Sequence, residues 1–286
     1  MKRVWILLLS LQGGHLFAQS IDSSINESQQ SRRKITDTHV YKIKPWLDIP
    51  VTAAFVGASI IGMNHIYNRD SVPESEILAL NRNDVNKFDR PIIDNYSSQR
   101  YHAGDVFLYG SMPLPLLLLF DNKIRPDAGR IGLLYLEALG TTGMIYTTSA
   151  SLTNRFRPYA YNPNVPMSDR TRGGVRNSFF AGHVAMVGTS TFFTARVFCD
   201  YHPDMKCKWI FYSLAAVSTA AIGYMRLQAG QHFKTDVITG AVIGPLVGIL
   251  IPKLHKNKAG VSSKLTLLPK FDSGTTGFTA LYKIGH

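Results

Sequence analysis

The chain has 286 residues, of which 45% are hydrophobic, and its 31 Lys and Arg against 19 Asp and Glu give a formal net charge of +12. This composition supplies enough apolar side chains for a substantial core and excludes a disordered chain. The positive charge favours anionic partners such as phosphate esters or acidic lipid headgroups, whereas the scatter of basic residues between apolar runs, without a recognised module, argues against nucleic acid.

The chain begins with the pattern of an export signal. Lys2 and Arg3 precede an apolar run from Val4 to Leu11. A short basic start followed by such a run is typical of a signal peptide. We therefore predict a signal peptide over residues 1–18, with an uncleaved membrane anchor as the alternative, and a polar N-terminal segment over residues 19–45.

Six apolar runs follow, and we predict a helix for each. Small residues are interspersed among the larger apolar ones, which suits closely packed helices. Pro113 and Pro115 are expected to bend or break the second helix. The sequence thus predicts an all-α bundle of about six apolar helices in one domain over residues 46–255. The runs are Ile49–Tyr67, Val106–Phe120, Ile131–Thr153, Val184–Cys199, Trp209–Met225 and Val237–Pro252.

Whether these helices cross a bilayer stays open at this point. A span needs about 20 apolar residues, several runs are shorter, and the mean hydropathy is only -0.00. Six runs in a basic chain favour a membrane-embedded bundle, with a soluble exported domain as the alternative. The topology is also open, because a cleaved signal peptide and the positive-inside rule place the N-terminal segment on opposite sides of the membrane.

Three polar segments give weaker signals. Cys199 and Cys207 lie in one connection without metal-ligand spacing, so we predict no metal site there; a disulfide and two independent thiols both stay open. The tail over residues 256–286 has two patches of alternating character on either side of Gly274, which predicts a short β-hairpin. The polar connection over residues 68–103 receives no role.

The strongest chemical signal lies between the fifth and sixth runs. Arg226, His232 and Asp236 follow one another there. If a helix opens near His232, the i, i+4 spacing places Asp236 on the same face as the imidazole. Its carboxylate then holds one ring nitrogen and leaves the other free to attack. The guanidinium of Arg226 suits an anionic group beside that nitrogen.

Two further clusters flank the third and fourth runs. Arg155 and Arg157 follow the third run directly, and Gly182 and His183 precede the fourth. The amides at a helix start favour a phosphate group, and a histidine there is placed to protonate a leaving oxygen. Because connections 3–4 and 5–6 open on the same side of an antiparallel bundle, we expect all three clusters to converge.

The order of these motifs resembles a known superfamily. Arg-Pro at Arg157, Gly-His at Gly182 and Arg-x5-His-x3-Asp from Arg226 resemble the type 2 phosphatidic acid phosphatases, whose superfamily includes class A acid phosphatases and vanadium haloperoxidases. The similar region covers roughly residues 105–252. The resemblance implies an all-helical core and a phosphatase that needs no metal or other cofactor and works through a phosphohistidine.

The resemblance also implies a role for each candidate residue. His232 is the nucleophile, Asp236 its orienting partner and His183 the general acid. The phosphoryl oxygens are held by side chains and helix-start amides, for which the candidates are Arg157, Arg226, Gly182, Ala181 and Arg155.

Two positions depart from the superfamily pattern. Ala150 stands where a lysine is usual, and Ala181 stands where a serine is usual. A phosphate-binding ammonium and a hydroxyl are therefore missing, and we expect Arg155, Arg172 or Arg176 to replace the lost charge.

Together these features predict a membrane enzyme that acts on a lipid phosphate or diphosphate, of the phosphatidic acid, undecaprenyl diphosphate or lipid A type. We expect its active site to face the periplasm of a bacterial-type cell envelope. The alternatives are a soluble exported acid phosphatase of broad specificity, a vanadate-dependent haloperoxidase and a non-catalytic member that binds lipid phosphates. The oligomeric state is not predicted.

Overall fold

The computed structural model describes residues 39–257 with their side chains, and the backbone of residues 265–272 and 275–282. The chain divides into two units, one of which is Tyr41–Lys256 and the other of which comprises the segments before and after it. The predicted signal peptide lies outside the described residues, as does most of the polar segment that follows it.

Helices build the unit Tyr41–Lys256, as the apolar runs predict. Each of the six predicted runs lies within one long helical segment, so the all-α bundle is confirmed. In the described part of the chain the helices are α1 Pro45–Tyr67, α2 Glu74–Leu78, α3 Ser98–Ser111, α4 Ala128–Thr153, α5 Met167–Arg170, α6 Gly182–Tyr201, α7 Lys208–Gln228 and α8 Lys234–His255.

The proline pair changes the second long segment as expected. The α-helical part, α3, ends at Ser111, and Leu114–Phe120 continues as a 3-10 helix. Pro113 and Pro115 lack the backbone N–H that an α-helix needs, and their rings clash with the preceding turn. The predicted break is confirmed.

The central helix, α6, packs against α3, α4, α7 and α8. Three glycines spaced four apart, Gly240, Gly244 and Gly248, line the face of α8 that meets it. A Cβ atom on Gly244 would lie 2.1 Å from the carbonyl oxygen of Ala185, and one on Gly240 2.6 Å from that of Ala181. Only glycine permits this approach between two backbones. The contacts run in the same order along both helices, so α6 and α8 are parallel and begin at the same end of the bundle.

Four segments are long and apolar enough to cross a membrane. They are α1, Ser98–Phe120, α7 and α8. Large apolar side chains on them are exposed in the structure, among them Ile61, Val106, Trp209 and Val242. Such surfaces are stable in lipid rather than in water. The helical unit is therefore a membrane-embedded bundle.

In the other unit the backbone forms an antiparallel pair of strands, β1 Leu265–Asp272 and β2 Thr275–Tyr282. The register places Leu265 opposite Tyr282 and Asp272 opposite Thr275. This pair lies in the tail where the sequence predicts a hairpin.

The two cysteines are independent thiols. Cys199 is buried near the end of α6, and Cys207 is exposed just before α7 begins. The structure therefore supports the second of the two interpretations that the sequence left open.

Candidate active site

A glycine turn carries the chain from α7 to the predicted nucleophile. Gly230 has a φ of +65°, which glycine adopts without steric cost. A Cβ atom there would lie 2.1 Å from the carbonyl oxygen of Asn95. The turn places His232 two residues before α8, whose N-cap is Phe233.

Hydrogen bonds define the tautomer of His232. Its Nδ1 lies 2.7 Å from the carbonyl oxygen of Ser178. Since a carbonyl only accepts, Nδ1 carries the hydrogen and Nε2 carries the lone pair. Nη1 of Arg157 lies 3.4 Å from this Nε2. Burial, and then the charge of Arg157, lower the pKa of His232 well below its usual value. The imidazole is thus neutral, as a nucleophile requires.

Asp236 lies beside this arrangement but does not hold the imidazole. The helix opens after His232, so Asp236 caps the first turn instead: its Oδ2 accepts from the amide of Phe233 (2.8 Å) and from Oγ of Ser178 (2.6 Å). Its Oδ1 accepts from Nη1 of Arg155 (2.5 Å). The prediction of Asp236 as the direct orienting partner is therefore wrong in its geometry. Asp236 contacts Ser178, whose carbonyl oxygen accepts from Nδ1 of His232.

Arg155 is bound to carboxylates rather than directed at a substrate. Its Nη1 bonds to Asp236, and its Nη2 lies 2.8 Å from Oδ2 of Asp89. Its guanidinium also lies 4.4 Å from the centre of the Phe233 ring. Both ends of its guanidinium are therefore bonded to acidic residues of the chain, and its predicted substrate contact stays a prediction.

Arg157 is buried and held from several sides. Its Nε donates to the carbonyl oxygen of Gly174 (3.2 Å), and its Nη1 donates to the backbone carbonyl (3.2 Å) and the side-chain oxygen (2.8 Å) of Gln231. These bonds fix the guanidinium against His232. A phosphoryl oxygen that replaced the Gln231 side chain would meet the same donor.

Asp105 on α3 contacts both His183 and Arg226. Oδ1 of Asp105 lies 3.1 Å from Nε2 of His183 and 2.5 Å from Nη2 of Arg226. Gly104, its neighbour, leaves room for the arginine, since a Cβ atom there would lie 2.9 Å from the guanidinium. Nε of Arg226 is buried and has no hydrogen-bond partner among the described residues.

The start of α6 supplies fewer free amides than predicted. The amide of Ala181 donates to the backbone carbonyl of Asp236 (3.0 Å), so in this structure it has an acceptor within the chain, and its predicted substrate contact stays a prediction. Gly182 is the first residue of α6, where N–H groups have no intrahelical acceptor. A Cβ atom on Gly182 would lie 3.0 Å from the ring of Tyr146. Glycine therefore lets the helix start lie flat against this tyrosine.

Three of the predicted residues line one cavity of about 520 Å³. Arg157, His183, Arg226 and Gln231 line it together. His232 lies behind this wall and is only 1% exposed. Nε2 of His232 contacts Arg157, and Arg157 lines the cavity. The expected convergence of the three clusters is present.

Of the other arginines considered as replacements for the lysine, Arg172 lines the same cavity and pairs with Asp169 at 2.7 Å. Arg176 instead pairs with Glu76. Ala150 itself is fully buried against Tyr146 and Phe180. The position of the missing lysine is thus filled by apolar packing, and Arg172 is the arginine that still faces the cavity.

Comparison with known proteins adds to this geometry. Residues 131–259 match the model of the PAP2 superfamily. The resemblance predicted from the sequence is confirmed. The matched stretch contains both histidines, Asp236 and the arginines at 155, 157 and 226.

Two relatives illustrate the similarity. The chain is 30% identical to a lipid A 4'-phosphatase of Porphyromonas gingivalis over 104 residues, which is 35% of this chain and 40% of that protein. The alignment thus spans well under half of that relative. The crystal structure of a transmembrane PAP2 type phosphatidylglycerolphosphate phosphatase from Bacillus subtilis is 21% identical; the match covers 73% of this chain and 92% of that one, with a TM-score of 0.41.

Two acidic residues of the site were missed by the motif reasoning. Asp89 and Asp105 both precede the matched stretch, and neither belongs to a motif. Asp105 did leave a signal, because a lone carboxylate on an apolar helix is costly in a membrane unless it has a function or a partner. Asp89 left none, since it lies in a polar connection where acidic residues are ordinary.

Proposed function

We propose that this chain is a phosphatase that hydrolyses a lipid phosphate or diphosphate through a phosphohistidine at His232. One observation carries the proposal. The lone pair of Nε2 faces the Arg157 guanidinium at 3.4 Å, while Nδ1–H is held by a backbone carbonyl. A neutral imidazole in a fixed tautomer beside a buried cation suits attack on an anionic phosphorus centre.

The reaction follows from these positions. Nε2 of His232 attacks phosphorus, the P–N bond forms as the P–O bond to the leaving group breaks, and protonated His183 gives its proton to the leaving oxygen. A water molecule, deprotonated by His183, then attacks the phosphohistidine and releases phosphate. Arg157 and Arg226 offset the negative charge spread over the phosphoryl oxygens, which is the main demand of phosphoryl transfer.

Asp105 fits the acid role of His183. Burial, together with the charges of Arg226 and Arg157, lowers the pKa of His183 to about 4, and the Asp105 carboxylate at hydrogen-bond distance offsets part of that effect. Asp105 therefore favours the imidazolium form from which a proton is given, in the presence of the substrate's negative charge. The same oxygen holds Arg226, so one acidic residue orients the acid and a phosphate-binding arginine together.

The membrane bundle supports a lipid substrate. Four segments are long and apolar enough to span a bilayer, and the cavity is open to a headgroup near their ends. The similarity to the lipid A 4'-phosphatase supports a phosphorylated lipid. Within this class the proposal includes phosphatidic acid, undecaprenyl diphosphate and lipid A types.

Phosphate release from a panel of purified lipid phosphates and soluble esters tests the proposal. Wild-type protein in detergent should release phosphate from at least one lipid substrate, in the presence of EDTA, and much more slowly from soluble esters. Equal rates on soluble esters would favour an acid phosphatase of broad specificity. No release from any substrate by a folded protein would favour the non-catalytic alternative, and halide oxidation with vanadate and peroxide would favour a haloperoxidase.

We further propose that the active site faces the periplasm. The longer connections at the site end carry more basic residues, among them Arg69, Arg82, Arg90 and Arg176. The short connections at the opposite end also have basic residues next to the helix ends, as a cytoplasmic face has. These residues are Lys123, Arg125, Arg130, Lys206, Lys208, Lys253 and Lys256.

Cys207 allows a direct test of this orientation, because it is exposed at that opposite end while Cys199 is buried. A membrane-impermeant maleimide, applied to cells with a permeabilised outer envelope, should label Cys207 only after the inner membrane is opened. The variant Phe88→Cys in a Cys207→Ser background is the matched control, since Phe88 is exposed near the site; it should be labelled without opening. The reverse pattern would place the site in the cytoplasm.

A further inference from the structure

Asp89 is a fully buried carboxylate outside the motifs. Its Oδ1 accepts from the amide of Thr235 (3.0 Å), and its Oδ2 accepts from Oγ1 of Thr235 (2.7 Å), Nδ2 of Asn86 (2.8 Å) and Nη2 of Arg155 (2.8 Å). Burial opposes its ionisation, but these bonds outweigh that effect and lower its pKa. Asp89 is therefore an anion that is bonded to the first turn of α8.

An unbroken path of hydrogen bonds leads from this anion to the nucleophile. Arg155 bonds Asp89 through Nη2 and Asp236 through Nη1, at 2.8 and 2.5 Å. Asp236 accepts from Oγ of Ser178 at 2.6 Å, and the carbonyl of the same Ser178 accepts Nδ1–H of His232 at 2.7 Å. Three of the four links have ordinary hydrogen-bond lengths, and the bond between Arg155 and Asp236 is shorter. The order is Asp89, Arg155, Asp236, Ser178, His232.

The charges along this path depend on one another. Asp89 and Asp236 are both fully buried, and Arg155 lies between them. Without Asp89 the arginine keeps only one of its two anionic partners and is free to rotate toward the cavity. Asp236 then loses the fixed donor on its Oδ1, and Ser178 loses a fixed acceptor for its hydroxyl.

We propose that Asp89 is a positioning residue for His232: it holds Arg155 and Thr235 in place and thereby fixes the Asp236–Ser178 pair that orients the imidazole. The inference rests on the proposed function for its kinetic consequence. Its structural consequence, the tautomer and orientation of His232, is measurable without a substrate.

The main test is Asp89→Asn in the full-length protein in detergent. The amide is nearly isosteric but neutral, so the bond to Arg155 weakens. Loss of an outer partner of an active group typically costs about 10–100-fold in activity, and we expect kcat to fall by that factor while KM changes by less than about twofold. Asp94→Asn is the matched control, because Asp94 lies five residues away in an exposed pair with Arg82; it should leave kcat unchanged. An unchanged kcat in Asp89→Asn, or a change in KM alone, would overturn the proposal.

A milder pair of variants covers the case in which Asp89→Asn does not fold. Thr235→Val removes the hydroxyl that donates to Asp89 and accepts from Nη1 of Arg155 (2.8 Å), without leaving a buried charge unpaired, and we expect a several-fold loss of kcat. Thr235→Ser keeps the hydroxyl and should restore the wild-type value. A purely steric role of Thr235 predicts the reverse order, because Val keeps the shape of Thr and Ser lacks its methyl group. Equal kcat in the two variants, or a lower kcat in Thr235→Ser, would contradict the proposal.

Nitrogen NMR of histidine-labelled protein separates this inference from the proposed function. The His232 resonance, assigned by its loss in His232→Gln, should show a protonated Nδ1 in wild type. In Asp89→Asn we expect this signal to shift toward a mixture of tautomers, and in Asp94→Asn to remain. If the wild type hydrolyses no substrate, the proposed function fails, but this NMR signal still decides whether Asp89 positions His232. An unshifted His232 signal in folded Asp89→Asn would refute the positioning role.

Discussion

Nδ1 of His232 donates to the carbonyl oxygen of Ser178 over 2.7 Å, so a backbone group rather than a carboxylate holds the nucleophile. A backbone carbonyl does not titrate, and it cannot donate a proton in return. The tautomer is therefore fixed over the whole pH range in which the fold persists. Asp236, the acidic residue of the motif, contacts His232 only indirectly, because it accepts a hydrogen bond from the hydroxyl of Ser178.

The first prediction concerns the nucleophile itself. His232→Gln should lower phosphate release by at least about 1,000-fold, because the covalent step is lost. Phosphate label from a substrate should remain attached to wild-type protein after alkaline quenching and be absent from the variant. His202→Gln is the control, since His202 pairs with Asp121 at the far end of the bundle. Label retained in His232→Gln would identify another residue as the nucleophile.

The second prediction concerns pH. The pKa of His232 is lower in the folded chain than its ordinary value. The unfolded chain therefore binds this proton more readily than the folded one. The stability that follows from this difference is present above the ordinary histidine pKa of about 6.5 and is lost as the pH falls below it. The loss approaches about 1.4 kcal/mol per pH unit. Thermal unfolding at pH 7.5 and 5.5 should show a larger fall of the midpoint in wild type than in His232→Gln. An equal fall in both proteins would argue against a buried neutral imidazole.

The third prediction concerns Asp105. Asp105→Asn removes the charge that holds both His183 and Arg226. Since acid catalysis is typically worth about 100–10,000-fold, we expect kcat/KM to fall by about 100-fold for an alkyl phosphate. The fall should be much smaller for a nitrophenyl phosphate, whose leaving group needs no proton. Asp121→Asn, at the other end of the bundle, should change neither rate, and equal losses on both substrates would remove Asp105 from the acid step.

The fourth prediction concerns Gln231, whose side-chain oxygen occupies Nη1 of Arg157 at 2.8 Å. Gln231→Ala frees that donor for a phosphoryl oxygen. Because a hydrogen bond to a charged group is worth about 1.5–3 kcal/mol and is only partly regained, inhibition by inorganic phosphate should strengthen about 3–10-fold. Gln228→Ala, at the end of α7 and outside the cavity lining, should have no effect. Weaker inhibition in Gln231→Ala would mean that the amide binds phosphate itself.

The fifth prediction concerns the contact between α6 and α8. Gly244→Ala places a methyl group where a backbone oxygen already lies 2.1 Å away, and overpacking of this kind costs about 1–3 kcal/mol. Gly132→Ala on α4 has open space around it and should be neutral or stabilising, by up to about 1 kcal/mol. Thermal midpoints in detergent compare the two variants. A Gly244→Ala protein as stable as Gly132→Ala would show that the helices separate easily.

Much of the fold and of the site was predictable from the sequence. Apolar runs determine the six long helices, and the proline pair breaks the second of them, because these effects are local. Arg157, His183 and Arg226 meet at one cavity as the motif order implied, and His232 lies directly behind them. These four residues belong to short patterns that a single chain displays.

The remainder depends on which groups meet in three dimensions. The spacing of His232 and Asp236 suggested a direct contact, but the helix begins one residue too late, so the carboxylate turns to cap it. Arg155 has the chemistry of a phosphate ligand, yet Asp89, 66 positions earlier, neutralises it. A contact between residues so far apart has no periodic signature in the sequence.

Asp89 and Asp105 both lie upstream of residue 131, where the recognised stretch begins. A polypeptide trimmed to that stretch would retain every histidine and arginine of the reaction while discarding the anions that hold them. Grafting the matched stretch alone onto another scaffold would therefore transfer these histidines and arginines without Asp89 and Asp105, which bond to them. For this chain the stretch that matches the superfamily is shorter than the stretch that builds the proposed site.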